Sequence, residues 1–254
     1  ALGITSGGAI TDSDTLAITG AVTLDNSGGT NDAITLDDSS NAFNGTVTFT
    51  TDSGSAVTIV DTTALDLVAL TAASLNVTAG GAVTDSGTLA IAGATTISAS
   101  GQDITLDEAA SIFGTLSLIG ANVAVTDAGA TDLGASTVSG TLGITSGGAV
   151  TDSGTLAITG ATTISASGQD ITLDEAASTF GTLALTGANV AVTDAGATDL
   201  GASTVSGTLG ITSAGAVTDS GTLAIAGATT ISASGQDITL DEAASTFGTL
   251  ALTG

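Results

Sequence analysis

The chain of 254 residues contains no lysine, arginine, histidine, cysteine, proline, methionine, tryptophan or tyrosine. Without cysteine there are no disulfides and no thiolate ligands, and without histidine there is no Ser–His or Cys–His nucleophile and no imidazole metal site. The 25 acidic side chains meet no basic side chain, so the formal net charge is −25. Such a surface repels nucleic acid phosphates and anionic membranes, so we expect neither as a partner.

The sequence also lacks an apolar run of about 18 residues, which predicts no membrane insertion in this segment. An acidic, low-complexity composition can indicate disorder. Here the mean hydropathy is +0.54 and aliphatic residues recur in alternation, so we expect a folded chain. No signal peptide is visible, and the sequence begins and ends inside a repeat, so we expect it to be a window from a longer chain.

What the sequence does have is a tandem repeat with a period of about 67 residues. The segment that starts at Gly101 returns almost unchanged at Gly168 and at Gly235. The neighbouring motif at Thr84 has a diverged copy that starts at Thr11. The repeat predicts one continuous solenoid domain over residues 1–254. Its units are a diverged one at about 1–73, two near-identical ones at about 74–140 and 141–207, and a partial one at 208–254.

Within each unit, short segments alternate aliphatic residues with threonine, alanine or serine, and glycine separates them. In the segment around Leu156 and Ile158, these two side chains would point inward while Thr155, Ala157 and Thr159 point outward. Roughly nine such strands in each repeat predict three strands per coil. The sequence therefore predicts an all-β, parallel β-solenoid of about 11 coils, each of roughly 19–26 residues. Phe113, Phe180 and Phe247 recur once per unit and are expected to fill the coil where it widens.

A carboxylate recurs two residues after an inward aliphatic side chain, about once per predicted coil. We expect these acidic residues to stack along one edge of the solenoid: Asp12, Asp38, Asp61, Asp85, Glu108, Asp127, Asp152, Glu175, Asp194, Asp219 and Glu242. Two roles are open for them. They accept hydrogen bonds from turn amides, or they form a ladder of weak Ca²⁺ or Mg²⁺ sites. No other cofactor and no catalytic residue is predicted.

Several strings carry a resemblance to a known family, namely Gly-Gly-Ala-Val-Thr-Asp-Ser-Gly at 147–154, Asp-Ile-Thr-Leu-Asp at 170–174, Thr-Phe-Gly at 179–181 and Gly-Ala-Asn-Val-Ala-Val-Thr-Asp at 187–194. They resemble the repeats of filamentous haemagglutinin-type exoproteins, the large secreted surface proteins of Gram-negative bacteria. The resemblance implies a right-handed β-helix, export by a two-partner or autotransporter route, and roles in adhesion or biofilm. The absence of lysine and arginine departs from that pattern.

Catalysis is not expected. Asp-Ser-Gly recurs at Asp52, Asp85, Asp152 and Asp219 and superficially matches an aspartic protease loop, but that chemistry needs two facing carboxylates placed once. We therefore expect the structural shaft of an extracellular or cell-surface bacterial fibre. It would self-associate end to end or laterally, with any host or matrix receptor bound elsewhere in the chain. The alternatives are an adhesive ligand-binding module and, more remotely, an ice-binding solenoid or a carbohydrate-active enzyme.

Overall fold

The computed structural model describes residues 1–254, and the chain in it consists of strands and contains no helix. The fold is an all-β parallel β-solenoid with about 13 turns in total, which confirms the predicted fold class. The turns are more numerous than the 11 expected because some, such as the one from Val57 to Leu75, are shorter than the predicted 19–26 residues. No helix has the length and hydrophobicity needed to cross a membrane. The chain divides into two compact units, Ala1–Ala128 and Gly129–Gly254.

The first unit contains 18 strands. They are β1 (Leu2–Thr5), β2 (Ile10–Thr11), β3 (Ala17–Ile18), β4 (Val22–Asp25), β5 (Ile34–Leu36), β6 (Ala42–Phe43), β7 (Thr46–Thr50), β8 (Ala56–Asp61), β9 (Leu65–Leu67), β10 (Leu70–Ala72), β11 (Ser74–Ala79), β12 (Val83–Asp85), β13 (Leu89–Ile91), β14 (Thr95–Ser98), β15 (Ile104–Leu106), β16 (Ile112–Phe113), β17 (Thr115–Gly120) and β18 (Val123–Asp127).

The second unit contains 16 strands. They are β19 (Thr131–Leu133), β20 (Ser136–Val138), β21 (Leu142–Ser146), β22 (Val150–Asp152), β23 (Leu156–Ile158), β24 (Thr162–Ser165), β25 (Ile171–Leu173), β26 (Thr182–Gly187), β27 (Val190–Asp194), β28 (Thr198–Leu200), β29 (Ser203–Val205), β30 (Leu209–Ser213), β31 (Val217–Asp219), β32 (Leu223–Ser232), β33 (Ile238–Thr239) and β34 (Thr246–Thr253).

Two long parallel ladders run through the first unit, each taking one strand from every turn. Ladder A consists of β1, β4, β7, β9, β12, β15 and β18. Ladder B consists of β2, β5, β8, β11, β14 and β17. In ladder B, Val57 pairs with Leu75, and Leu75 pairs with Thr95, so one turn runs from Val57 to Leu75 and the next from Leu75 to Thr95.

The second unit repeats this arrangement. Ladder C consists of β19, β22, β25, β27, β30 and the ends of β32 and β34. Ladder D consists of β21, β24, β26, β28, β31 and β33. Aliphatic side chains from both ladders fill the interior, and Ile171, Leu173 and Leu183 are fully buried. Burial of such side chains from water is the main stabilising contribution in a fold without charge pairs.

Several turns carry a third, short strand on one of their two edges, whereas others, such as the turn through β7 and β8, carry none. In the first unit these are β3 and β6 on one edge and β10, β13 and β16 on the other. Phe43 and Phe113 end these series and are buried. Of the three phenylalanines predicted to fill the coil, Phe113 and Phe180 are buried at 3% and 6% exposure, whereas Phe247 is only half-buried. In the second unit, β20 and β23 lie between ladders C and D, whereas β29 and the start of β32 lie between D and C.

The sequence repeat is not a whole number of turns. Val150 pairs with Ile171, Ile171 with Val190 and Val190 with Leu209, so three turns of ladder C run from Val150 to Leu209. The copy of Val150 in the next repeat is Val217, which follows Leu209 in the chain and lies in ladder D. One repeat therefore makes about three and a half turns, and equivalent side chains alternate between the two ladders.

Candidate functional site

The recurring carboxylates define the candidate site, but they do not form the single line that we expected. In the first unit, Asp12, Asp38 and Asp61 lie at the ends of ladder B strands, and Asp85, Glu108 and Asp127 at the ends of ladder A strands. In the second unit, Asp152, Glu175 and Asp194 follow ladder C strands, whereas Asp219 and Glu242 follow ladder D strands. The acids of one repeat form a group of up to three on the same ladder. Successive groups lie on alternate ladders because one repeat makes about three and a half turns.

Each group begins with an aspartate that binds the backbone of the next turn. Asp152 is buried, and the backbone N–H of Asp174 donates to its Oδ1 at 2.8 Å while that of Glu175 donates to its Oδ2 at 3.4 Å. Burial raises the pKa of Asp152, the two N–H donors oppose this, and the carboxylates of Asp174 and Glu175 add to it. The Asp152 carboxylate thus connects two turns, although it brings the negative charges of Asp152, Asp174 and Glu175 close together.

We call this arrangement, an aspartate at a strand end that accepts backbone N–H groups of the next turn, a corner. The same corner is present in the other repeats. The N–H of Asp107 donates to Oδ1 of Asp85 at 2.8 Å, and burial again raises the pKa of Asp85. The N–H groups of Asp241 and Glu242 donate to Asp219 at 2.8 and 3.4 Å. In the diverged unit the N–H groups of Asp37 and Asp38 donate to Asp12 at 3.1 and 3.3 Å. Hydrogen bonding to turn amides, one of the two predicted roles, is therefore observed at all four corners.

A buried serine completes the corner, and sequence reasoning missed it. The backbone N–H of Leu156 donates to Oγ of Ser178 at 2.9 Å, and Ser178 is fully buried. Ser111 and Ser245 accept from Leu89 and Leu223 in the same way, both at 3.0 Å. In the diverged unit the side-chain oxygen of Asn41 takes this place and accepts from Leu16 at 2.7 Å. The unchanged serine in each copy of Asp-Glu-Ala-Ala-Ser was the available signal.

The third acid of a group closes the corner from inside the solenoid. Asp194 is 1% exposed, and its carboxylate accepts from the N–H of Gly196 at 2.8 Å and from the hydroxyl of Thr198 at 3.0 Å. Thr198 also lies 3.0 Å from Oγ of Ser213 on the next turn. Burial raises the pKa of Asp194, and the hydrogen bonds from Gly196 and Thr198 partly offset this. The hydrogen bonds among Asp194, Thr198 and Ser213 therefore form a buried polar network that connects two turns.

Asp61, the third acid of the diverged unit, lacks the threonine partner that Asp194 has. Its Oδ1 accepts from the N–H groups of Phe43 and Thr63 at 3.1 and 2.9 Å, but its buried Oδ2 has no partner. Four residues after Asp61 the chain has Leu65, where Asp194 is followed by Thr198. Replacement of the threonine by leucine in the diverged unit thus explains the unpaired oxygen.

The geometry does not assemble a metal centre. No group of three or more acidic side chains is arranged so that it could hold a metal ion. At the corners the carboxylate oxygens already accept backbone N–H groups, and in ladder C the partner of Asp194 on the next turn is Ser213 rather than another acid. A divalent ion bridging successive turns would have to displace these hydrogen bonds.

One further surface feature distinguishes a single repeat. An open depression in the first unit is lined by Ser53, Thr71, Ala90, Ile91 and Ile112. Ile112 is 50% exposed, and the later copies have threonine at its position. The depression contains no charged side chains and no converging polar groups. It could therefore contact a small apolar group, but it has no residues arranged for catalysis.

Comparison with known proteins agrees with the repeat. A family model described as repeats of unknown function (DUF5649) matches residues 1–50, 54–119, 120–186 and 187–253. The last two matches each span one full period of the sequence repeat, although their boundaries are shifted along it. No curated protein and no solved structure matches the chain.

Proposed function

We propose, from the premise that this chain belongs to the DUF5649 family of tandem repeats, that it is the structural shaft of a long extracellular or cell-surface bacterial fibre. The family description states no activity, so the proposal rests on the fold. A repeat β-solenoid is compatible with a structural or adhesin-like role. The shaft would be non-catalytic, and it would hold a receptor-binding region away from the cell surface.

One observation carries this proposal, namely that every repeat is built with the same corner. Asp152 with Ser178 and Asp219 with Ser245 make equivalent hydrogen bonds in successive repeats of the second unit. The corner groups recur from repeat to repeat, whereas an enzyme site requires a set of groups placed once. Because each turn is paired with its neighbours in sequence, stability is a sum over neighbouring turns and adding repeats adds length. Such a design suits a spacer.

Two features that should slow proteolysis support the same role. The chain has no lysine or arginine, so trypsin has no cleavage site in it. Most of the backbone is also paired in parallel strands, which protects it from proteases that need an extended, unpaired segment. Both properties favour a protein exposed outside the cell.

The experiment that tests the shaft is insertion of one extra copy of residues 141–207 after position 207. With about 4.8 Å between strands, three and a half turns add roughly 17 Å to the maximum dimension measured by small-angle X-ray scattering. The radius of the cross-section should stay the same. The control is an insertion of the same segment with its residues in shuffled order, which should unfold locally. An inserted copy that leaves the maximum dimension unchanged would refute the proposal.

An adhesive module is the second candidate, and the exposed Ile112 favours it. This side chain is paired with the outward Ala90 and lines the depression in the first unit. The variant Ile112→Thr restores the residue of the later copies and should retain stability. Loss of adhesion to cells or matrix in this variant would support the adhesive role, whereas unchanged adhesion would place the receptor-binding region elsewhere.

A further inference from the structure

The outer face of ladder B carries no charge on any of its six strands. None of the outward residues in strands β2, β5, β8, β11, β14 and β17 is acidic. Their central column runs through six successive turns in register: Thr11, Thr35, Thr58, Asn76, Thr96 and Ser117. Beside this column lie Val60 and Ile119, and Ile119 is 42% exposed.

Each of the other three ladders presents carboxylates outward. Ladder A carries Asp25 and Asp66, ladder C carries Asp132, and ladder D carries Asp199. Asp199 is held on the surface by the hydroxyls of Thr182 and Ser220 at 2.9 and 2.8 Å. A neighbour that covers these particular strands therefore meets negative charge.

We propose that the outer face of ladder B is a lateral contact surface for a second copy of this chain. The chain has no basic side chain, so one copy cannot neutralise the carboxylates of another. Contact between two copies through the strands that carry Asp25, Asp66, Asp132 or Asp199 would bring like charges together and remove them from water, and both effects are unfavourable. The ladder B face lets two copies meet along all six of its strands without burying an outward carboxylate.

The chemistry of the face suits such a contact. Threonine and serine hydroxyls and the Asn76 amide can each donate and accept hydrogen bonds, so two copies of the face are self-complementary. The threonine methyl groups together with Val60 and Ile119 supply apolar area. Ile119 is replaced by threonine in the later copies, which makes this the most apolar version of the position.

The size of the face sets the strength of the contact. Six strands about 4.8 Å apart and up to six residues of about 3.3 Å each cover roughly 500 Å² per copy. A standard stable interface buries about 800 Å² per partner, so a single pair of faces associates weakly. Several such contacts between long fibres would bind tightly together, because linked weak contacts act at high effective concentration. The contact thus fits bundling of fibres better than formation of a free dimer.

The decisive test places one charge at the centre of the face without changing its shape. Asn76→Asp is nearly isosteric, and its matched control is Asn44→Asp, which gives the same net charge on an exposed residue outside the ladder. Sedimentation velocity in about 1 M salt, where the screening length is about 3 Å, removes the general repulsion of the chain. We expect concentration-dependent association of the wild type and of Asn44→Asp, and an association constant at least about tenfold lower for Asn76→Asp.

A second measurement is independent of affinity. The chain has no cysteine, so a single cysteine in Thr96→Cys reports its own neighbours. Under mild oxidation this variant should form disulfide dimers faster than Thr105→Cys, which lies outward on ladder A. The proposal is overturned if the wild type stays monomeric, if Asn76→Asp and Asn44→Asp associate equally, or if the two cysteine variants cross-link at the same rate.

Discussion

Val150 and Val217 occupy the same position of the repeat and yet pair in different ladders. Val150 pairs with Thr131 and Ile171 in ladder C, whereas Val217 pairs with Thr198 and Ile238 in ladder D. Near-identical sequence thus produces the same local strand in two different places. The alternating residue pattern and the contacts with neighbouring turns stabilise the strand equally well in either ladder. Matched substitutions can therefore be compared within a single repeat.

Removal of one buried hydroxyl should stabilise the protein. Thr95, Thr162 and Thr229 are buried, and their hydroxyls have no hydrogen-bond partner. The diverged unit has the fully buried Val22 at the equivalent position, so the fold accepts valine there. Thr162→Val should raise the free energy of unfolding by about 1 kcal/mol, because an unsatisfied polar group is lost at constant shape. Urea denaturation measures the change.

The control for this variant is Thr163→Val, since Thr163 is exposed. It should change the stability by less than about 0.5 kcal/mol. A Thr162→Val protein that is less stable than the wild type would mean that the hydroxyl has a partner in solution.

Loss of the corner serine should have the opposite effect. Ser178→Ala removes the acceptor of the Leu156 N–H and leaves that donor buried without a partner. We expect a loss of about 1–3 kcal/mol in the free energy of unfolding. Ser167→Ala, at an exposed turn of the same repeat, is the matched control and should be nearly neutral. Equal effects of the two substitutions would show that the serine corner contributes nothing.

Acidification should stabilise this protein. Burial raises the pKa of Asp85, Asp152 and Asp194 above the ordinary 3.8, so each binds its proton more tightly when folded than when unfolded. Stability therefore increases as the pH falls through the raised folded values, and the gain is complete below the ordinary value. Fewer charges also reduce the repulsion within a chain of net charge −25.

The measurement is the melting temperature between about pH 7 and about pH 4.5, which should rise on acidification. Asp25 acts the other way, since the Ser27 hydroxyl lowers its pKa, but that stabilisation is lost only below 3.8. Asp194→Asn mimics the protonated side chain and should show a smaller dependence on pH. A melting temperature that falls steadily over this range would contradict the prediction.

Divalent cations should act through screening alone. The corner carboxylates accept backbone N–H groups, and no acidic cluster is arranged to hold a metal. Calcium, magnesium and a monovalent salt at equal ionic strength should therefore raise the melting temperature equally. A larger shift with calcium that a chelator reverses, together with binding heat in calorimetry, would restore the metal ladder hypothesis.

Much of the fold could be read from the sequence, because repeat, alternation and phenylalanine spacing are local properties. Leu156 and Ile158 point inward and Ala157 outward, as their spacing predicts. The turn length could not be obtained in this way, because carboxylates do not mark every turn. Asp194 and Asp219 are further apart in the chain than Val190 and Leu209, which delimit one turn, so counting acids gave too few turns.

The side-chain networks of the corners were also beyond the reach of the sequence. Thr198 bonds to Ser213, and Ser178 accepts from Leu156, only because these residues lie on adjacent turns. Which residues face each other on adjacent turns depends on the turn length. The local alternation of residues does not determine that length.

The half-turn advance has a consequence for how such a chain evolves. Near-identical tandem copies are prone to gain or loss of whole units by unequal recombination. Loss of one copy would move the features of every later copy to the opposite side, whereas loss of two would restore the original side. Natural variants that differ by an even number of copies should therefore share the same surface pattern, and odd variants should display it on the reverse side.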